Sequence, residues 1–153
     1  MAEFVVERTE MIEAKPEKVF PHVGNLKKWN EWSPWAKLDP DMETTYEGEE
    51  GAVGSSYRWV GNRKVGEGQM TLKEVVESER VAIDLKFLKP FKSQNLTELE
   101  LTPSDDATKV TWRMTGPQTF MTKVMGFIGK DMDKMVGPDF EKGLGNLKKL
   151  VEN

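Results

Sequence analysis

The chain is predicted to form an α+β domain in which a curved antiparallel sheet of about seven strands wraps a long C-terminal helix. Three observations carry this expectation. Two proline-bounded apolar segments lie between residues 14 and 35, alternation of period two runs from about 42 to 116, and apolar side chains recur at spacings of three and four from 121 to 151. The 153 residues are expected to make one domain, residues 1–153, and a chain of this length buries roughly 70% of the surface it exposes when unfolded.

The first element is an extended segment over about 3–13. In "KPEKVF", Pro16 suits the first position of a helix because its missing N–H would have no intrahelical partner there. Pro21 is expected to stop that helix within about two turns. Asn25 can cap a second short helix through Trp29 and Asn30, which "SPW" at 33–35 ends, since a residue before proline is pushed out of the helical region.

From about 42 onwards, turn residues arrive every 10 to 15 positions, which predicts an antiparallel meander of six strands. "VAIDLKF" sets Val81, Ile83, Leu85 and Phe87 on one face against Asp84 and Lys86, and "KVTWRMT" sets Val110, Trp112 and Met114 against Lys109, Thr111 and Arg113. Thr97, Leu99 and Leu101 alternate with Glu98 and Glu100, and Met70 and Leu72 with Thr71 and Lys73. One face is therefore dry and one wet. Turns are legible at Gly61-Asn62, Glu77-Ser78-Glu79, around Pro90 and at Ser104-Asp105-Asp106.

The dry face needs a cover. Met121, Met125, Ile128, Met132 and Met135 repeat at four-three-four-three spacing, Gly137-Pro138 is expected to interrupt, and Phe140, Leu144, Leu147 and Val151 continue the stripe. A long, broken helix lying on the sheet is the expectation.

Composition narrows the function. The net charge of −4 argues against a dedicated nucleic-acid binder, which needs a basic face to neutralise phosphates. The two "NLKK" segments, 25–28 and 146–149, are too short to reverse that and read as solvated helix faces. No apolar run approaches the ~20 residues that cross a bilayer, and "MAEFVVERTE" has no basic leader before an apolar block, so a cytoplasmic location is expected. With no cysteine, the chain has no disulfide, thiolate nucleophile or cysteine-ligated metal.

Catalytic constellations are thin. His22 is the only histidine and local spacing places no serine or acid beside it, which makes a histidine-based triad a poor fit. One histidine and no cysteine cannot build a His-rich metal site, and no carboxylate loop signature is present, so no metal and no cofactor are expected. "GEG" at 66–68 lies inside a strand pattern and reads as a bend or bulge, while "GLG" at 143–145 reads as close packing of the last helix on the sheet.

Several stretches resemble one known superfamily: "IEAKPEKVFPHVGNLKKWNEWSPW" (12–35), "YEGEEGAVGSSYRWVGNRKVGEGQMTLKEV" (46–75), "FLKPFKS" (87–93), "ATKVTWRMTG" (107–116) and "DMDKMVGPDFEKGLGNLKKLVE" (131–152). Their order and spacing are similar to the SRPBCC, or START-like, superfamily, and within it to the polyketide cyclase/dehydrase group. The resemblance covers nearly the whole chain. It implies a helix-grip fold with an apolar cavity between sheet and final helix. It implies no single reaction, because lipid carriers, hormone receptors, cyclases, oxygenase subunits and co-chaperone-like domains share that fold.

Candidate lining residues follow from phase and from the implied cavity. Trp29 and Trp32, three apart, face the same way and read as pins for the two short helices, whereas Trp35 either anchors the next segment or borders the cavity entrance. Tyr57 and Trp59 share a strand phase and supply aromatic walls with polar tips if that phase points inward. Met70, Leu85, Phe87, Leu99, Trp112 and Met114 share the dry face. Met121, Met125 and Met132 would close it from the helix, with the adaptability that methionine brings to varied ligands; ordinary core is the competing reading for each.

Polar candidates are fewer. Arg8 and Glu10 occupy the same phase as Phe4, Val6 and Ile12, so either strand one is an edge from which both charges reach water, or they enter the cavity as a pair. Asn95 shares the Leu99 phase and is a further polar lining group; Glu74, in the Met70 phase near a strand end, is assigned to solvent.

The function expected from these features is binding or carriage of a small hydrophobic or amphipathic molecule, by a monomer or homodimer paired through a sheet edge. The first alternative is a cofactor-independent cyclase or dehydratase in which Glu10 or the Tyr57 hydroxyl moves a proton. A protein-interaction domain is the lesser alternative.

Overall fold

Residues 3–35, 38–62, 65–89, 92–117 and 132–152 are described by a computed structural model, apart from the side chains of Glu3, Pro117, Met132, Asp133 and Met135. Strand β1 (Glu3–Ile12) leads into helix α1 (Pro16–Val23) and a 3₁₀ helix (Leu26–Glu31). Six strands follow: β2 (Glu43–Glu47), β3 (Ser56–Val60), β4 (Glu67–Val76), β5 (Arg80–Lys89), β6 (Ser93–Ser104) and β7 (Ala107–Pro117). Helix α2 (Met132–Glu152) is the last element.

Pro16 opens α1 as expected, but Pro21 does not close it; the helix runs on to Val23. A proline at that position removes one bond, from its own nitrogen to the carbonyl of Glu17. Both residues are exposed, so water can solvate the freed carbonyl. Gly24 ends the helix, its N–H donating to the Phe20 carbonyl at 2.8 Å. Asn25 then caps the 3₁₀ helix by accepting from the Lys27 N–H at 3.0 Å.

These two short helices have too few internal hydrogen bonds to stand alone. Trp29 and Trp32 hold them together: both are buried, and their indole N–H groups donate to the α1 carbonyls of Val23, at 2.8 Å, and His22, at 2.9 Å. Each ring therefore pins the pair by burial and by a hydrogen bond that leaves no orphan donor.

All seven strands form one antiparallel sheet in the order β1-β7-β6-β5-β4-β3-β2. The register shifts twice between β4 and β5, at Glu67/Gly68 and at Leu72/Glu74, and bulges of this kind bend a sheet. The first lies within the "GEG" stretch. A Cβ on Gly68 would fall 2.5 Å from the Trp59 indole, so glycine is what lets that ring lie flat on the neighbouring strand.

The wet face is held by charge. Arg113 of β7 meets Glu100 and Glu7, each at 2.5 Å, Arg80 of β5 meets Glu74 at 2.6 Å, and Arg80 also pairs with Glu98. Hydrogen bonds from Arg113 to Glu100 and then to Glu7 hold its guanidinium above its ordinary pKa. Glu74 lies on this wet side, paired and exposed, as its strand-end position suggested.

On the dry face, α2 lies against β1 and β7. It passes through Gly137-Pro138 without a break, contrary to the interruption expected there. Pro138 and Lys134, whose carbonyl loses its partner, are both exposed, and the stripe of Phe140, Leu144, Leu147 and Val151 stays buried throughout. The segment holding Met121, Met125 and Ile128 and the turn at Pro90 lie outside the described residues. The end of α2 is fastened to β1: Glu152 accepts from the Glu13 N–H at 2.7 Å, and Lys148 donates to the Met11 carbonyl at 2.7 Å.

Candidate functional site

Burial on the inner face of the sheet is uneven: it is full in one half and only partial at several positions of the other, here called the open half, and β5 crosses both. Val81 and Ile83, at its start, have no exposure, whereas Leu85 and Phe87, two and four residues further along the same phase, are only partly buried. Strand alternation alone would give all four the same environment.

Over the fully buried half, five aromatic rings interlock. Trp112 of β7 lies against Trp29 (5.9 Å between centroids), Trp32 (5.3 Å) and Trp35 (6.0 Å), and stacks on Phe140 of α2 at 4.0 Å. Leu99, its cross-strand partner, has no exposure. Gly143 of α2 makes this closeness possible, since a Cβ there would lie 2.8 Å from the Trp112 ring and 2.9 Å from Pro34; Gly145, by contrast, has open space around it.

The Trp112 indole nitrogen is buried without a hydrogen-bond partner among the described residues, as is the Thr97 hydroxyl. An unmet buried donor costs about 1–3 kcal/mol. Burying the ring returns about 2–3 kcal/mol and each aromatic pair about 0.5–1.5 more, so packing outweighs the orphan. Leu99 and Trp112 are thus close-packed core.

Across the open half runs one row of cross-strand partners, Tyr46-Tyr57-Met70-Leu85-Asn95, drawn from five consecutive strands. Tyr57, Trp59 and Met70 are buried there, and the rings of Tyr46, Tyr57, Trp59 and Phe87 follow one another at 4.9, 6.0 and 5.8 Å. The Trp59 indole donates to the Val65 carbonyl at 2.9 Å. Asn95 is half-buried, its amide nitrogen 3.7 Å from the sulfur of Met114.

The polar corner of this half belongs to two residues that phase reasoning passed over. Asn30, in the 3₁₀ helix, directs its amide at the hydroxyls of Tyr57 (3.3 Å) and Tyr46 (3.5 Å). Burial raises both phenols above their ordinary value of 10.0, against a smaller lowering by the Asn30 contact. Tyr57 therefore stays protonated at neutral pH. The available signal was the Thr44/Tyr46 phase of "ETTYE"; for Asn30 local spacing offered none, because its partners are 16 and 27 residues away.

Arg8 and Glu10 take the edge position. β1 ends the sheet, and Arg8 reaches across Gly137 of α2 to Glu141 at 2.8 Å; Arg8 and Glu10, with Glu7, Thr9 and Glu141, border an open groove of about 490 Å³. Trp35 is half-buried, its ring 6.3 Å from Phe140. Met121 and Met125 lie outside the described residues, and Met132 is placed only as a backbone position. Among the described residues no three acidic, histidine or cysteine side chains gather to hold a metal, and no helix is long and apolar enough to cross a membrane.

Comparison with known proteins agrees with this architecture. A family model described as polyketide cyclase / dehydrase and lipid transport matches residues 3–152. Among solved structures, the chain is similar to protein CV1439 from Chromobacterium violaceum, with TM-score 0.68, 14% identity and 97% of each chain covered. It is also similar to the Aha1 dimer from Colwellia psychrerythraea, with TM-score 0.64, 17% identity, and 99% of this chain and 97% of that one covered. Ara h 8.0201 superposes with TM-score 0.64 at 13% identity over 98% of each chain. At these identities the likeness shows the fold alone. A search of curated proteins found no match.

Proposed function

The chain belongs to the polyketide cyclase / dehydrase and lipid transport family, and from that premise we propose that it encloses a small hydrophobic or amphipathic molecule against the open half of its sheet. The observation that carries this reading is the change along β5, from full burial at Val81 and Ile83 to partial exposure at Leu85 and Phe87 on the same inward phase. Apolar side chains left half-covered on an inner face gain about 25 cal/mol per Å² when a guest shields them. Met70 adapts to the guest's shape, Tyr57 and Trp59 offer flat surfaces, and Asn95 and the Tyr57 hydroxyl supply the few polar contacts that orient it.

The alternative reading, a cofactor-independent cyclase or dehydratase, needs one acid or base, Glu10 or the Tyr57 hydroxyl. Glu10 on β1 and Tyr57 on β3 stand five positions apart in the strand order, so each is a separate candidate for the one group that moves a proton. In that reading Tyr57 would serve only as a proton donor, because burial holds the phenol in its neutral form.

The test is titration with Nile red, a neutral apolar dye, followed by fluorescence. Leu85→Arg is expected to weaken binding at least tenfold, while Val60→Arg, on the exposed outer phase of β3, leaves it within twofold. Equal affinity in the Leu85 variant and the wild type, or no binding by the wild type, would refute the proposal.

A further inference from the structure

On α2, Lys142, Asn146 and Lys149 stand at i, i+4 and i+7 and share one face, separate from the buried stripe. That face looks across to the 3₁₀ helix and the segment after it, and the two walls enclose a groove of about 350 Å³ lined also by Asn30, Glu31, Ser33 and Pro34. The walls are fixed relative to each other, because the Asn146 amide donates to the Trp32 carbonyl at 3.2 Å and Pro34 is buried against the α2 glycine Gly143.

Like most of the described lysines, the two in this groove carry no ion pair, so their ammonium groups are available to an anion. Lys148, next door on α2, is paired with Glu152, and Lys27 of the 3₁₀ helix with Glu50. Lys142 and Lys149 have no ion-pair partner among the described residues, although the chain as a whole is acidic at net charge −4. The groove's one carboxylate, Glu31, is turned towards His22, with 3.4 Å between Oε1 and Nδ1. Ser33 accepts from the Trp35 N–H at 3.3 Å, which leaves its hydroxyl proton to donate elsewhere.

We propose that this groove is a subsite for an oxyanion, a phosphate monoester or carboxylate, held between the Lys142 and Lys149 ammonium groups with the Ser33 hydroxyl as a neutral donor. Lysines bind such groups as point charges, and a pre-formed groove lowers the ordering cost of doing so. Asn30 forms part of the groove wall while its amide meets Tyr57 of the open half, so the subsite adjoins the apolar site of the preceding proposal without depending on it.

The test is isothermal titration at low ionic strength with decyl phosphate, inorganic phosphate and decanol. Three proteins are compared: wild type, Lys142→Gln/Lys149→Gln, and the charge-matched control Lys73→Gln/Lys109→Gln, whose lysines are exposed on strands β4 and β7. The groove variant is expected to bind decyl phosphate at least tenfold more weakly, with the control within twofold of wild type and decanol unaffected by either change. Binding of inorganic phosphate with the same lysine dependence identifies a free-anion site; dependence seen only with decyl phosphate identifies a head-group site. If decanol fails to bind while lysine-dependent phosphate binding persists, the apolar-site reading falls and this one stands. Equal losses in both double variants, or no phosphate binding by the wild type in either form, would overturn the subsite. Thermal melts of all three proteins confirm that these exposed substitutions leave folding intact.

Discussion

Trp112 on β7 and Phe140 on α2 stack with centroids 4.0 Å apart and planes inclined by 3°, and this pair joins the sheet to its covering helix. Both side chains are buried, Trp112 at 2% exposure and Phe140 at 1%, and Trp29, Trp32 and Trp35 close around the Trp112 ring. The tryptophan-rich segment is thus the third wall of a packed core, and its first two members also fasten α1 to the 3₁₀ helix.

Phe140→Ala is expected to destabilise the fold by about 3–5 kcal/mol, since it removes the stacked ring and leaves a cavity that Leu144 and Leu147 on the same helix cannot fill by rotation alone. Urea denaturation followed by tryptophan fluorescence measures this. A loss under about 1 kcal/mol would show that the interface collapses around the gap.

The two glycines of "GLG" should respond in opposite directions to alanine. Gly145→Ala meets open space and gains about 1 kcal/mol of helix propensity. Gly143→Ala places a methyl 2.8 Å from the Trp112 ring and 2.9 Å from Pro34, both of them buried, so overpacking is expected to outweigh the same gain and the melting temperature to fall.

The chain has only two tyrosines, so a spectrophotometric pH titration reads Tyr46 and Tyr57 alone. Both are expected to ionise above 10.0 in the folded protein, because burial disfavours the phenolate, and to return to about 10 in denaturant. With folded values above the unfolded one, their contribution to stability is complete below pH 10 and is lost as pH rises through the folded values. Titration at or below 10.0 in the native state would contradict the buried placement.

Glu152 responds at the acid end. The Glu13 N–H, and then Lys148, hold its carboxylate below the ordinary value of 4.5. Its contribution is complete above pH 4.5 and is lost as pH falls through the folded value. Glu152→Gln should therefore be less stable than wild type at neutral pH, with the difference shrinking below pH 4.5. A difference independent of pH, seen in melts from pH 3 to 7, would assign the effect to packing instead.

Much of the fold was legible locally. The alternation in "VAIDLKF" and "KVTWRMT" set the strand phases, Asn25 marked the cap, "GEG" marked the bulge, and the 140-144-147-151 spacing marked the buried face of α2. The two misreadings share a cause. Pro21 and Pro138 each remove a single hydrogen bond, and what that costs depends on whether the orphaned carbonyl reaches water, which a one-dimensional pattern does not reveal.

Sequence by itself determined the α+β class, the seven-strand sheet with its wet and dry faces, and the absence of cysteine chemistry, because each rests on backbone periodicity or on composition. Only the tertiary structure decided which positions of the dry face are fully buried and which are partly exposed, that Asn30 serves the two tyrosines, and that Arg8 turns to Glu141. Those outcomes depend on how α2 and the 3₁₀ helix sit over the sheet. Side chains that share a phase within one strand become different once another element covers some of them and leaves the rest exposed.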